Sequence, residues 1–145
     1  MGDYLSDAFL IHSRTPQGLP LSPILSALYT ASLLELADNW VHCNLTLYVD
    51  DGVIYATSTT LSVATNAAIE GYMEVLMWLR ANGLDADPSK TKLMTFARQR
   101  ANPNQVSHHP TKACYIDPIL GPQTIKTTTH LCYLRVYIDQ SLNWS

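Results

Sequence analysis

The chain has 145 residues, of which 47% are hydrophobic and 14% are charged, and its formal net charge is −3 at pH 7. This composition excludes a disordered chain, because disorder requires low hydrophobicity together with high net charge. The slightly acidic balance is a poor match for a protein that binds nucleic acid through bulk positive charge. We therefore expect one folded domain, or a large part of one.

The cysteine content and the apolar stretches indicate an intracellular chain that does not cross a membrane. An odd number of cysteines without metal-type spacing is typical of reduced thiols in an intracellular protein. No basic segment followed by an apolar stretch opens the sequence, so we expect no secretory signal. The longest weakly polar stretch, residues 19–34, is interrupted by prolines and is too short to span a bilayer. The cysteines are Cys43, Cys114 and Cys132.

The first predicted elements are a weak strand, a turn and a helix. Alternation around Phe9 and Ile11 favours a short strand, and the prolines and glycine of residues 15–20 then predict a turn. Ser22 and Pro23 predict a helix start, because serine can accept hydrogen bonds from free first-turn amides and proline is tolerated there. Apolar residues at spacings of three and four follow, and we expect this helix to be buried on most sides. They are Leu25, Tyr29, Leu33 and Leu36.

The clearest local pattern is a predicted β-hairpin with two aspartates at its tip. Residues 45–49 and 53–57 are both rich in β-prone side chains, and Asp50, Asp51 and Gly52 lie between them. An Asp-Gly pair between two such runs predicts a tight turn, in which Gly52 would supply the positive φ. The two carboxylates are therefore expected at or next to the turn.

A second helix and further strands complete the expected fold. We predict a helix over residues 61–82, capped by Thr59 or Thr60 and ended by Asn82 and Gly83. A strand candidate follows at residues 93–96. The order of elements predicts an α+β fold in which helices pack on an antiparallel sheet.

The polar residues 98–113 divide the chain into two structured parts. They contain prolines, asparagines and histidines, which are typical of an exposed loop or linker. Residues 1–97 form the first part, and residues 114–145 form a second part that is rich in predicted strands.

The aspartate pair indicates a particular chemistry. Two adjacent carboxylates repel each other, and a divalent cation between them removes that penalty. Mg²⁺ prefers a few carboxylates together with water and substrate phosphates. Two such ions about 3.5–4 Å apart can stabilise the attacking and leaving oxygens of a phosphoryl transfer. The pattern suits metal-dependent nucleotidyl transfer, although Asp-Asp-Gly alone is also ordinary turn chemistry.

Four segments, in order, resemble the palm of reverse transcriptases, in the style of retrotransposons that lack long terminal repeats. The first two are residues 15–25 (TPQGLPLSPIL) and residues 48–51 (YVDD). Residues 83–96 resemble the next palm segment, and residues 130–144 are similar to the segment that leads toward the thumb. Together the matches cover most of the chain and are specific as a set.

The resemblance implies a fold, an activity and a cofactor. The fold would be a palm-like antiparallel sheet with packed helices. The activity would be that of an RNA-directed DNA polymerase, a nucleotidyltransferase that uses an RNA template, a DNA primer and deoxynucleoside triphosphates. Asp50 and Asp51 would be two of three catalytic carboxylates and would bind Mg²⁺ or Mn²⁺, with Asp50 the surer metal ligand.

The resemblance also implies roles for residues around the carboxylates. Gln17 and Gly18 would lie beside the incoming nucleotide, where glycine allows the backbone to approach the substrate. Tyr48 would contact the primer end or the template. Lys90 would neutralise or protonate the departing pyrophosphate, a role that suits a mobile point charge.

Two departures from the family pattern matter. The third catalytic aspartate of the family lies upstream of the Gln-Gly segment, on an earlier strand, and neither Asp3 nor Asp7 matches it. The thumb-leading segment usually has a glycine where this chain has Arg135. We therefore expect a palm fragment that lacks the fingers and the first catalytic strand and that is inactive alone.

Two alternatives stay open from the sequence. One is a non-catalytic, truncated retroelement remnant that acts at most as a protein- or nucleic-acid-binding module, which the short stretch before Gln17 favours. The other is a polymerase that copies RNA into RNA. Residues 48–51 and 90–96 favour reverse transcription over that second alternative.

Overall fold

The computed structural model describes residues 20–96 and 112–140. The described part contains two helices and six strands, which pair as three separate two-stranded antiparallel sheets. The sequence predicted the mixture of helices and antiparallel strands, whereas the division into three local hairpins differs from the single sheet that we expected. The elements are α1 (Ser22–Ala37), β1 (Cys43–Tyr48), β2 (Asp51–Ala56), α2 (Leu61–Ala81), β3 (Lys112–Asp117), β4 (Gly121–Lys126), β5 (His130–Tyr133) and β6 (Val136–Asp139).

Helix α1 begins at Ser22, as predicted, but it differs from the prediction in its N-cap and in its burial. Its N-cap is Leu21, which has helical backbone angles and no side-chain acceptor, so Ser22 is the first helical residue and not the cap. Pro23 is tolerated in the first turn, because the N–H that it lacks has no helical partner there. Only Leu33 and Ala37 of the helix are buried. Among the described elements only β1 and α2 contact α1, and five of its large apolar residues stay exposed: Ile24, Leu25, Leu28, Tyr29 and Leu34.

Helix α2 has the boundaries that its end residues predict. The hydroxyl of Thr60, at the N-cap, accepts a hydrogen bond from the Val63 N–H at 3.4 Å. Asn82 ends the helix, and Gly83 follows with φ of +73°. Glycine adopts this left-handed conformation at little cost, which is why it commonly follows the last helical turn. The predicted second helix is confirmed at both ends.

The main hydrophobic core joins α2 to the β3–β4 hairpin. Leu76, Tyr115 and Ile125 are its most buried members, and the ring of Tyr72 meets that of Tyr115 edge to face at 5.4 Å. Leu93 packs against this core and forms a single parallel bridge with Thr127. The predicted strand at residues 93–96 is therefore reduced to one bridge. Strand β3 begins at Lys112, two residues before the predicted start of the strand-rich part.

A glycine lets α2 approach the start of β1. A Cβ on Gly71 would lie 2.8 Å from Cys43 Sγ and 3.1 Å from the ring of Trp40. The indole N–H of Trp40 donates to Glu74 Oε2 at 2.7 Å, so the same helix face also fixes the tryptophan. Burial, followed by the charge of Glu74, raises the pKa of the Cys43 thiol. This contact holds the β1–β2 hairpin against α2.

A buried ion pair ties the end of α2 to the β3–β4 turn. Asp117 is 1% exposed, and its two carboxylate oxygens accept hydrogen bonds from Arg80 Nη1 and Nη2, each at 2.8 Å. The N–H groups of Ile119 and Leu120 also donate to Asp117 Oδ1. The hydrogen bonds from Arg80, followed by those from the turn, hold the pKa of Asp117 far below its usual range. This side chain therefore fixes both the turn and its position on α2.

Neither α1 nor α2 has the length and apolar character that crossing a bilayer requires.

Candidate active site

The predicted aspartate hairpin is present, but its turn is built differently from the prediction. Tyr48 pairs with Asp51, so the loop consists of Val49 and Asp50 alone. Only Val49 has a positive φ, of 58°, which is the pattern of a type II′ turn. The prediction that Gly52 supplies the positive φ was wrong, because the strand ladder runs on through Asp51 and Gly52.

Gly52 has a packing role instead. It pairs with Leu47, and a Cβ at this position would lie 3.2 Å from Leu47 Cδ2. That distance is tighter than ordinary van der Waals contact, so glycine makes room for the leucine side chain across the ladder. Strand pairing, rather than turn geometry, accounts for the glycine.

Val49 is a functional candidate that the sequence did not reveal. A β-branched residue at positive φ is strained, at a cost of roughly 1–3 kcal/mol, and such strain concentrates at functional sites. In the sequence Val49 reads as the last residue of a strand. Ser26 of α1 donates a hydrogen bond from its hydroxyl to the Val49 carbonyl at 3.4 Å. Helix α1 thus contacts the strained turn directly.

Asp50 and Asp51 present their carboxylates at the turn. Both residues are exposed, and neither forms an ion pair within residues 20–96 and 112–140. Carboxylate oxygens are the donors that Mg²⁺ and Mn²⁺ prefer, so the pair fits a divalent ion in donor type. The described part of the chain holds no cluster of three or more His, Cys, Asp or Glu side chains that could bind a metal. Two carboxylates need additional ligands, such as water and substrate phosphates, to hold such an ion.

An open groove of about 590 Å³ lies between the aspartate hairpin and the β5–β6 hairpin. The second hairpin has a two-residue loop, Leu134 and Arg135, with φ of 49° and 67°. Two positive φ values define a type I′ turn, which usually contains asparagine and glycine. Left-handed backbone costs a residue with a side chain roughly 1–2 kcal/mol. The groove is lined by Tyr48, Asp51, Cys132, Leu134 and Arg135.

The groove brings together two segments that are more than 80 residues apart in the sequence, one carrying an aspartate and one an arginine.

The sequence profile described as Reverse transcriptase (RNA-dependent DNA polymerase) matches residues 3–137, which is nearly the whole chain. The chain belongs to the reverse transcriptase family. Comparison with curated proteins and with solved structures gave no match.

The remaining predicted site residues of this reverse transcriptase domain are placed as follows. Tyr48 is 60% exposed and lines the groove beside Asp51. Lys90 lies in an exposed turn, where its backbone N–H donates to the Asp87 carbonyl, and it does not line the groove. Gln17 and Gly18 lie outside the described residues. The structure therefore brings Tyr48 and Asp51 together, with Asp50 adjacent on the turn, and leaves Lys90 apart.

Proposed function

We propose that this reverse transcriptase domain carries the metal-binding hairpin for RNA-directed DNA synthesis. The reaction joins a deoxynucleoside monophosphate unit to the 3′ hydroxyl of a DNA primer paired with an RNA template and releases pyrophosphate. The observation that carries the proposal is a pair of exposed aspartates at a strained two-residue turn, one in the loop and one at the start of β2, in a chain of this family. The four matching segments favour the type found in retrotransposons without long terminal repeats, with a palm-like arrangement.

Asp50 and Asp51 are the residues that would hold Mg²⁺ or Mn²⁺. The bound ions would supply charge stabilisation to the attacking and leaving oxygens. Neither carboxylate forms an ion pair within the described residues, so metal binding breaks no existing contact there. The Val49 turn and the Ser26 contact fix the backbone on which both side chains stand. Because the backbone is already held in place, the carboxylates lose less conformational freedom when they bind the ion.

The other residues would position the nucleic acid and the nucleotide. Tyr48 presents an aromatic ring at the groove, which suits stacking against a base of the primer end or the template. Gln17 and Gly18 would contact the incoming deoxynucleoside triphosphate. Lys90 would neutralise the departing pyrophosphate. Because Lys90 lies outside the groove, the substrate would have to extend beyond the groove to reach this lysine.

We also propose that the chain is inactive alone. Two-metal catalysis in this family uses three carboxylates, and the hairpin supplies two of them. With fewer anionic ligands to offset dehydration of the ions, their affinity for the site falls. A third carboxylate is then required to complete the site.

A primer-extension assay tests activity. The assay uses an RNA template, a labelled DNA primer and the four deoxynucleoside triphosphates, with Mg²⁺ or Mn²⁺. We expect no extension above that of the Asp50→Asn variant, which removes one metal ligand while keeping the side-chain shape. Template-dependent extension that is lost in Asp50→Asn would contradict inactivity. A chain that neither extends a primer nor binds Mn²⁺ at the hairpin would contradict the proposed function itself.

A second candidate is a non-catalytic module that binds another protein. The exposed apolar residues of α1, including Ile24, Leu25 and Leu28, favour it, because large exposed apolar patches mark interaction surfaces. The two candidate functions make different predictions for the aspartates. A binding module of this kind has no use for Asp50 and Asp51, and it predicts that divalent ions leave the hairpin unaffected.

A further inference from the structure

Three of the four lysines in the chain form a row across the β3–β4 hairpin and the segment beside it. Lys112 of β3 pairs directly with Lys126 of β4. On the other side of β4, Leu93 forms a parallel bridge with Thr127, and its N–H donates to the Lys126 carbonyl at 3.3 Å. In this parallel register Lys92 lies beside Lys126. The three residues, from Lys92 through Lys126 to Lys112, are called the lysine row.

The lysine row lies on the face of the hairpin that is turned away from the hydrophobic core. All three lysines are exposed, and each is next in the chain to a residue that is buried in the core or packs against it. These neighbours are Leu93, Ala113 and Ile125. Because successive side chains of a strand point to opposite faces, the lysines project together from the outer face. Neighbouring strands are about 4.8 Å apart, so three positive side chains begin within about 10 Å of one another.

No acidic side chain of β3 or β4 offsets this charge. Asp117 is the one acidic residue of the two strands, and it is buried and paired with Arg80. None of the three lysines forms an ion pair within residues 20–96 and 112–140. Like charges directly opposite each other destabilise a sheet, so the lysine row lowers the stability of the hairpin.

Protection of a strand edge does not explain the lysine row. Lysine is common on edge strands, because it hinders pairing with other chains. Within the described residues Lys112 is on such an edge strand, whereas Lys126 lies between β3 and the segment of Leu93. The repulsion at Lys126 therefore has no structural benefit of this kind, and a bound anion would relieve it.

The residue types of the outer face favour a phosphate backbone as that anion. Lysine is depleted in protein–protein interfaces, whereas interfaces with nucleic acid are much more positively charged. Next to the paired lysines the face carries exposed Thr124, and threonine hydroxyls donate to phosphate oxygens. The outer positions of β3 and β4 hold no aromatic ring on which a base could stack. The face therefore suits repeating phosphates rather than bases.

We propose that the lysine row binds the phosphodiester backbone of a nucleic-acid strand at a surface separate from the groove. None of its lysines lines the groove between the aspartate hairpin and β5–β6. The choice of nucleic acid among polyanions rests on the proposed function. Binding here is electrostatic, needs no divalent ion and has no sequence preference, since it involves phosphates and not bases. In a chain with a net charge of −3, the lysine row supplies the local positive charge that the overall composition lacks.

The test measures the binding of a fluorescently labelled, single-stranded oligouridine RNA by the full chain. Anisotropy is recorded in EDTA over a series of salt concentrations, and each phosphate contact on a single strand contributes about 0.7 to the slope of log K against log salt. We expect the triple variant Lys92→Gln, Lys112→Gln and Lys126→Gln to reduce the slope by about 2 and to weaken binding about tenfold or more at low salt. The corresponding triple arginine variant keeps the charges and should retain the slope.

Asn66→Asp is the matched control for the single variant Lys126→Gln, because each lowers the net charge by one unit. Asn66 is exposed on α2, the helix that packs against the opposite face of the hairpin. We expect Lys126→Gln to reduce the slope by about 0.7 and Asn66→Asp to leave it nearly unchanged. Equal changes in the two variants would overturn the proposal, because they would show an effect of net charge alone.

Thermal unfolding of the triple glutamine variant separates lost charge from misfolding. Because glutamine removes the repulsion between neighbouring lysines, we expect an unfolding midpoint at least as high as that of the unmodified chain. Weaker RNA binding by a variant of unchanged or higher stability supports the proposal. A lower midpoint would contradict the repulsion on which the proposal depends.

A labelled polyglutamate peptide with the same number of charges is the second probe. We expect it to bind more weakly than the RNA. Equal affinity for the two probes, lost together in the triple glutamine variant, would assign the lysine row to an acidic protein segment and overturn the proposal. RNA binding that is unchanged in that variant, or absent in the unmodified chain, would overturn it as well. Because EDTA removes divalent ions, the proposal can fail while the aspartate hairpin still binds Mn²⁺ as the proposed function requires.

Discussion

Replacing Asp117 with asparagine is expected to lower the midpoint of thermal unfolding by about 10 °C or more. The substitution keeps the shape of the side chain but removes the charge that faces Arg80, which is itself 16% exposed. An arginine left buried without its anion costs far more than a surface ion pair contributes. Circular dichroism during heating measures the effect.

Asp85→Asn is the matched control for that variant. Asp85 accepts a hydrogen bond from Nε of the same arginine at 3.2 Å, but its side chain is 59% exposed. Ion pairs in contact with water contribute little, because solvent screens them. We expect Asp85→Asn to leave the unfolding midpoint nearly unchanged. Equal losses in the two variants would contradict the role assigned to burial.

The lowered pKa of Asp117 predicts how the stability of the fold depends on pH. The hydrogen bonds from Arg80 lower the pKa of Asp117 in the folded chain below its value of about 3.9 in the unfolded chain. The stability that this group contributes is therefore present above about pH 4 and is lost as the pH falls toward the folded-state pKa. Denaturant titrations between pH 6 and acid conditions should show a steeper loss for the unmodified chain than for Asp117→Asn.

Replacing Leu76 with alanine is expected to reduce the free energy of unfolding by about 2–5 kcal/mol. Leu76 is 1% exposed and lies between α2 and the β3–β4 hairpin, where it packs in the cluster of Tyr115 and Ile125. Its removal leaves a cavity that the surrounding residues fill only in part. Urea unfolding, followed by tryptophan fluorescence, measures the difference.

Met77→Ala provides the comparison on the same helix. Met77 is the next residue along the chain and is 51% exposed, so its truncation creates no cavity. We expect a loss of about 0.5 kcal/mol or less. A cost for Met77→Ala as large as that for Leu76→Ala would show that the core does not lie where the structure places it.

The parts of the fold that the sequence predicted correctly are those set by local interactions. The sequence offers Thr59 or Thr60 as the cap and Asn82 and Gly83 as the end of α2, and these signals act within one helical turn. The β1–β2 hairpin likewise joins residues that are neighbours in the chain. The predicted position of its turn was wrong because two patterns compete there. The Asp-Gly pair favours a turn, whereas the strand ladder continues through this pair.

The parts that the sequence did not predict depend on contacts between distant residues. Arg80 and Asp117 are 37 residues apart, and nothing in either local sequence shows that they pair. The exposure of α1 also depends on what packs against it. The helical spacing of Leu25, Tyr29 and Leu33 predicts an apolar face but does not specify a partner for it.

The candidate site shows the same division. Asp50 and Asp51 were predicted by their type and spacing, and Arg135 was singled out because it stands where the family usually has glycine. The groove lined by both Asp51 and Arg135 could not be predicted, since its walls come from two hairpins that are far apart in the sequence. Lys90 matched a family position by sequence, yet its turn does not line that groove.

The most direct test of the metal-binding hairpin is a titration of the isotopically labelled chain with Mn²⁺, followed by NMR. Because Mn²⁺ broadens resonances of nearby nuclei, we predict that the amide signals of residues 48–52 weaken first and selectively. The double variant Asp50→Asn and Asp51→Asn should remove this selectivity while leaving the rest of the spectrum unchanged. Hairpin signals that stay sharp as Mn²⁺ is added, or that broaden equally in the double variant, would contradict a divalent-ion site at these aspartates.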